Sequence, residues 1–178
     1  MESSNGQWTP EPLSGLRRTT LTALLLALYM AIDAIPSPAG GILKFSGFIL
    51  VLSGFLVGPW GGALVGGLGD LLTYALHPKG PFFPGFTLTS ALTGCLPALF
   101  LGSRNRTLFN LGLSIAGGQV ITKLLLVPCF LQYVYGLPAL AWALRAAGEQ
   151  AVHIPLYAYA ACVILPHWER YRRRREEF

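Results

Sequence analysis

The sequence predicts an all-α membrane protein of six transmembrane helices with both termini on the cytoplasmic side. Three observations predict it. Of the 178 residues 53% are hydrophobic and only 12% are charged, about half the charged fraction of an ordinary soluble domain. The apolar residues gather in repeated runs that approach the ~20 residues needed to cross a bilayer. The basic residues lie between and beyond those runs, gathered on one set of flanks.

Residues 1–16 read as a polar N-terminal tail, 17–166 as the membrane domain and 167–178 as a basic C-terminal tail. Arg17 and Arg18 precede a long apolar run without a small-residue cleavage site, which predicts an uncleaved first span and not a signal peptide. That helix runs from Leu16 to about Ile35 and ends at Pro36-Ser-Pro38 and Gly40-Gly41. Ala23, Ala27 and Ala31 recur every fourth residue along it, a strip of small side chains that lets another helix approach closely. A short second span covers about Phe45 to Val57 and stops at Gly58-Pro59. The third reaches from Trp60 to about Leu76, with Gly58, Gly62 and Gly66 on one close-packing face.

Between Gly80 and Gly94 the chain turns on Pro81, Pro84 and Gly85, a rigid re-entry lined by Phe82, Phe83 and Phe86. The fourth span follows to about Leu101, the fifth runs from about Leu108 to Tyr135, and the sixth from about Ala139 to Leu165. Placing both termini inside puts Arg17, Arg18, Arg104, Arg106, Arg170 and Arg172 to Arg175 on the cytoplasmic flanks, against Lys44 and Lys79 outside. The net charge of +5 is mostly this flank, so it points to anionic lipid and away from nucleic acid. Cys95, Cys129 and Cys162 sit in separate apolar segments without paired or metal-like spacing and read as free thiols.

Several motifs together carry a family likeness. They are the alanine strip, Leu43-Lys-Phe-Ser-Gly-Phe48, Gly58-Pro-Trp-Gly-Gly-Ala63, Gly66-Gly-Leu-Gly-Asp70 and, above all, Phe83-Pro-Gly-Phe-Thr-Leu-Thr89 followed by Ala91-Leu-Thr-Gly94. A six-span chain with these motifs resembles the substrate-binding S-component of an energy-coupling factor (ECF) vitamin transporter, closest to the folate family. The resemblance implies high-affinity capture of a vitamin at the outer side, between the last three helices and the loops after the first, third and fifth. It also implies docking, through the small-residue face of the first helix, to a transmembrane coupling subunit and two ATPase subunits in the bacterial plasma membrane. The run Ala141-Trp-Ala-Leu-Arg145-Ala-Ala-Gly-Glu149 departs from the folate-family pattern, so pantothenate or another small vitamin stands as the alternative substrate.

Apart from any resemblance, the polar residues inside the spans converge. Arg145, Glu149, His153 and Tyr157 are four apart and form one stripe on the sixth helix. Lys123 lies about 13 residues before the turn at Gly136, roughly 20 Å of helix, a depth that matches Glu149 to His153 across the turn. Intramembrane ionisable residues either serve function or pair with each other. The candidate substrate-binding residues are therefore Lys123, Arg145, Glu149, His153, Asp70, Phe83, Phe86 and Thr87. Arg145 offers a planar fork for a carboxylate, and Asp70 either accepts ring N–H groups or ties the third helix to a neighbour. Lys123 and Glu149 bind ligand or one another, His153 contacts ligand or packs, the phenylalanines stack on a flat ring or on the core, and Thr87 contacts ligand or bonds back to its helix.

No His-Glu-x-x-His, Gly-x-Ser-x-Gly or Walker loop is present, so nothing supplies a catalytic metal, a nucleophile elbow or a nucleotide cradle. The sequence thus predicts neither an enzyme nor a cofactor, and energy for transport has to come from partner ATPases. A structural scaffold would have no use for converging ionisable groups beneath an aromatic loop.

Overall fold

The structure is a computed structural model. It describes residues 15–35, 45–78, 81–102 and 104–176, with side chains as far as residue 170. The expectations placed on 1–14, on Pro36 to Lys44, on Lys79 and Gly80 and on the side chains of Arg172 to Arg175 fall outside this range. The described residues contain no strand and form six continuous helical rods: α1, Gly15–Ala34; α2, Ser46–Val57; α3, Pro59–Leu76; α4, Pro84–Leu101; α5, Leu108–Tyr135; and α6, Ala139–Glu176. Four of them, α1, α4, α5 and the Ala139–Arg170 part of α6, are long and apolar enough to cross a membrane.

Local chemistry sets the helix ends. Pro59 and Pro84 begin α3 and α4, where a missing N–H costs nothing and the fixed φ suits the first turn. Pro84 and Gly85, expected in the re-entrant loop, are accordingly the first residues of α4. Thr107 caps α5 by accepting from the Asn110 N–H at 3.3 Å, satisfying an otherwise orphaned donor. Gly136 closes α5 at φ +66°, a left-handed position that glycine fills without steric cost. α6 does not stop near Leu165; it continues through the basic segment to Glu176.

Backbone contact holds the centre of the bundle together. α3 and α4 make the most extensive helix pairing, and glycine is what brings them so close. A Cβ at Gly62 would stand 2.3 Å from the Gly94 carbonyl oxygen, one at Gly94 would meet the Gly62 carbonyl at 2.3 Å, and one at Gly66 would meet that of Ser90 at 2.2 Å. Gly54 of α2 joins the same seam, its Cβ position 2.1 Å from the Gly94 oxygen. Gly62 and Gly66 thus occupy the expected close-packing face, whereas Gly58 serves the turn between α2 and α3 at φ +98°. Gly62→Ala is expected to destabilise the protein by about 3 kcal/mol, because backbone has to move to admit the methyl. Gly67→Ala on the same helix, with only the Ala91 methyl at 3.7 Å, is expected to be neutral or mildly stabilising through helix propensity. Unfolding midpoints of the two variants in detergent check the pair, and equal midpoints refute the seam.

The apolar core fills one end of the bundle. Phe55, Ala98, Leu101, Leu111, Ile115 and Leu165 pack there from four helices, all toward the C-terminal ends of α2, α4 and α6 and the start of α5. A second cluster of Leu25, Tyr29, Ile49, Leu50, Val57 and Val65 fastens α1 to α2 and α3. The opposite end is left to polar groups. There α5 departs from regular geometry: Val120–Leu126 is π-helical, with the Val127 N–H bonded to the Thr122 carbonyl, and Pro128 follows. Such wide turns cluster at functional sites because they re-aim side chains, and this one carries Lys123.

Candidate ligand-binding site

A cavity of about 470 Å³ opens at the end of the bundle opposite the apolar core, within the size range of small-molecule sites. Every helix contributes to it: Asp33 from α1, Ser46 from α2, Asp70 from α3, Phe86 from α4, Lys123 from α5 and Arg145 from α6. The four-residue stripe on α6 faces it in full, since Arg145, Glu149, His153 and Tyr157 all line its wall. Lys123 lines the same cavity, so the depth matched along α5 and α6 brings these groups together.

Arg145 Nε donates to Glu149 Oε1 at 3.1 Å, and its side chain is 53% exposed. The guanidinium lies 5.6 Å from the Trp142 ring centroid, a cation–π contact that fixes its plane. Glu149 is therefore held by Arg145 along one helix face. His153 stacks on Tyr157 at 5.2 Å, and Tyr157 meets Phe48 at 5.5 Å. His153 and Tyr157 line the cavity, and Phe48 backs them.

Asp70 takes the second of the two roles expected of it, the tie to a neighbouring helix. It accepts from the Thr87 hydroxyl at 2.7 Å and from Ser90 at 3.2 Å, tying α3 to α4, and its carboxylate still lines the cavity. Thr87 therefore bonds neither back to its own helix nor into the cavity, where it is not among the lining residues. Phe86 lines the cavity directly. Phe83 stands behind it, edge-on to Phe86 at 5.7 Å and to Phe130 at 5.3 Å, and lines a smaller neighbouring cavity of about 230 Å³. Gly85 makes that aromatic cluster possible: a Cβ there would meet the Phe83 ring at 2.2 Å.

Beside the expected His153, the structure adds Gln119 and Gln150 to the site. Gln119, Gln150 and His153 line the cavity, are more than nine-tenths buried, and present Oε1, Oε1 and Nε2 with no hydrogen-bond partner among the described residues. Each such group costs about 1–3 kcal/mol while unsatisfied, so the wall is built to receive polar atoms from something else. Asp33 also lines the cavity and accepts from Ser46 at 3.0 Å. Its signal was available in the sequence, because an acid four residues after Tyr29 in an apolar helix is as conspicuous as Asp70. Gln150 had no such signal, being one residue off the charged stripe.

The site is thus a half-buried chamber with an acidic side on α1 and α3, a basic side on α5 and α6, an aromatic side on α4, and unsatisfied acceptors between. Its chemistry suits a flat, polar small molecule. The sequence profile described as "ECF transporter, substrate-specific component" matches residues 17–167. The chain belongs to this family. It is accordingly a transporter's substrate-specific subunit, not an enzyme, and the apolar helices are those of a membrane protein. One curated relative, the folate transporter FolT of Clostridium novyi (strain NT), is 27% identical over 113 residues, which cover 63% of this S-component and 66% of that relative. A solved structure described as FolT bound with folic acid superposes with a TM-score of 0.71 at 23% identity, over 83% of this chain and 93% of the other. The arrangement of helices in this S-component is therefore a FolT-like fold.

Proposed function

We propose that this S-component captures folate, or a related pterin, at the outer face of the bacterial plasma membrane and delivers it through an ECF-type importer. In this reading its six helices, with 17–166 as the membrane domain, span the membrane with both termini cytoplasmic, an orientation that the distribution of arginines favours. The observation that carries the reading is the chemistry of the larger cavity, where Lys123 and Arg145 face the same space as Phe86 and the carboxylates of Asp33, Asp70 and Glu149. A folate has a flat ring for the aromatic side, ring N–H groups for Asp70 and a glutamate for the cations. Arg145, positioned by Glu149, waits at the mouth, Lys123 lies deeper, and His153 offers its ring nitrogen from the floor. Phe83 and Thr87 act from behind, backing Phe86 and holding Asp70. The folate carried by the similar transporters agrees with this assignment.

The sequence carries no Walker loop, which leaves the power stroke to the coupling subunit and two ATPases of the ECF module. Ala23, Ala27 and Ala31 are exposed on α1 while Leu25 and Tyr29 are buried on its other face, which suits the alanine strip to a closely packed partner helix. Equilibrium titration of detergent-purified protein with folic acid tests the reading: saturable binding, competed by pterin-containing folates and not by pantothenate, is expected. Preference for pantothenate, or no saturable folate binding, overturns it.

A further inference from the structure

The larger and smaller cavities meet at one place, since Asp33, Asp70 and Phe86 line both. Packing between α1 and α3 brings the two carboxylates there. The Tyr29 ring fills the space above Gly69, whose Cβ position lies 2.6 Å from it. That contact fixes α1 against α3 with Asp33 one turn beyond Tyr29 and Asp70 next to Gly69. Hydroxyls steady both acids, Ser46 donating to Asp33 and Thr87 and Ser90 to Asp70. A carboxylate offers about four acceptor positions, and the two hydroxyls on Asp70 take two of them. Thr73, one turn along α3 from Asp70, lines the smaller cavity, is 8% exposed, and has a hydroxyl without a hydrogen-bond partner among the described residues. Polar capacity is thus concentrated on the acidic side, independently of the acids themselves.

Such a wall attracts N–H donors and repels carboxylates, while Lys123 and Arg145 across the larger cavity do the reverse. We infer that Asp33 and Asp70 together receive the amino edge of the ligand's heterocycle, with its face on Phe86, and so select rings that carry donors and orient the anionic tail toward Lys123 and Arg145. The inference rests on the folate reading and gives it a specificity determinant. A 2,4-diaminopteridine, which takes up a proton readily beside a carboxylate, gains a charge-assisted pair on this wall. A ring with methyl in place of the 2-amino group loses a donor and leaves an acid unmatched, the kind of mismatch a polar site rejects strongly.

Four probes test this on the full chain in detergent: folic acid, 4-amino-4-deoxyfolic acid, 2-desamino-2-methylfolic acid and 4-aminobenzoylglutamate, which is the tail without the ring. Wild type is expected to bind the 2-methyl compound at least about tenfold more weakly than folic acid. Asp33→Asn and Asp70→Asn are each expected to lower the preference for the 4-amino compound over folic acid by about tenfold, with 4-aminobenzoylglutamate binding unchanged as a check on folding. Wild type that binds folic acid and the 2-methyl compound equally well overturns the inference alone, even if neither variant folds. An unchanged preference in both folded variants overturns it as well. Wild type that binds no folic acid overturns the folate reading, and the inference with it.

Discussion

Lys123→Ala is expected to weaken folic acid binding by at least about tenfold, and by more than Arg145→Ala does. A charge-assisted hydrogen bond contributes about 1.5–3 kcal/mol, or roughly ten- to a hundredfold in affinity. Lys123 is set inside the cavity by the π-helical turn, where a lost cation is poorly replaced by solvent. Arg145 is 53% exposed and already paired with Glu149, so part of its contribution is screened by water. Lys123→Arg is expected to recover little, because the longer planar group needs a space shaped for it. Titration calorimetry on the three variants decides the matter. Equal, wild-type affinities in all of them would remove the cationic side from the site.

Ala27→Leu combined with Ala31→Leu is expected to abolish uptake by cells that contain the coupling complex while leaving folate affinity of the isolated protein within about twofold. Both positions are exposed on α1, so the added side chains point away from the described residues of the bundle. A partner helix packed at backbone distance would have to withdraw by several ångströms. Uptake of labelled folate and binding by the purified variant are measured side by side. Normal uptake shows that the partner docks elsewhere, and lost binding shows that α1 tolerates no bulk for internal reasons.

Much of the site was readable from helical period and rise alone. A stripe at every fourth residue of α6 had to share one face, and the depth of Lys123 from the turn at Gly136 could be counted in residues. What could not be counted was the rotation of one helix against another. That depends on which glycines meet, and the Gly54–Gly62–Gly94 seam is formed by carbonyls approaching from other helices, a fact no single helix displays. The π-helical turn of α5 likewise changes which residues face inward after Gln119, and no residue in Val120–Leu126 announces it. Pro84 and Gly85 looked like a turn because both residues break helices, yet proline is equally at home at a helix start, and α4 begins there. Leu165 seemed a natural end because the apolar run stops, but a helix needs no apolar face once it leaves the bilayer, and α6 continues to Glu176.

α1 has two faces with different neighbours: Leu25, Tyr29 and Asp33 turn toward the bundle, and Ala23, Ala27 and Ala31 turn away from it. A helix is only about 10 Å across. News that the chamber is occupied therefore has one helix diameter to travel before it reaches the surface where a partner would listen. A small roll or slide of α1 on engagement of Asp33 would couple the two faces without any relay of residues, with the glycine-packed centre to push against. Whatever differential affinity the ligand has for the two positions of α1 is the whole of the coupling energy available.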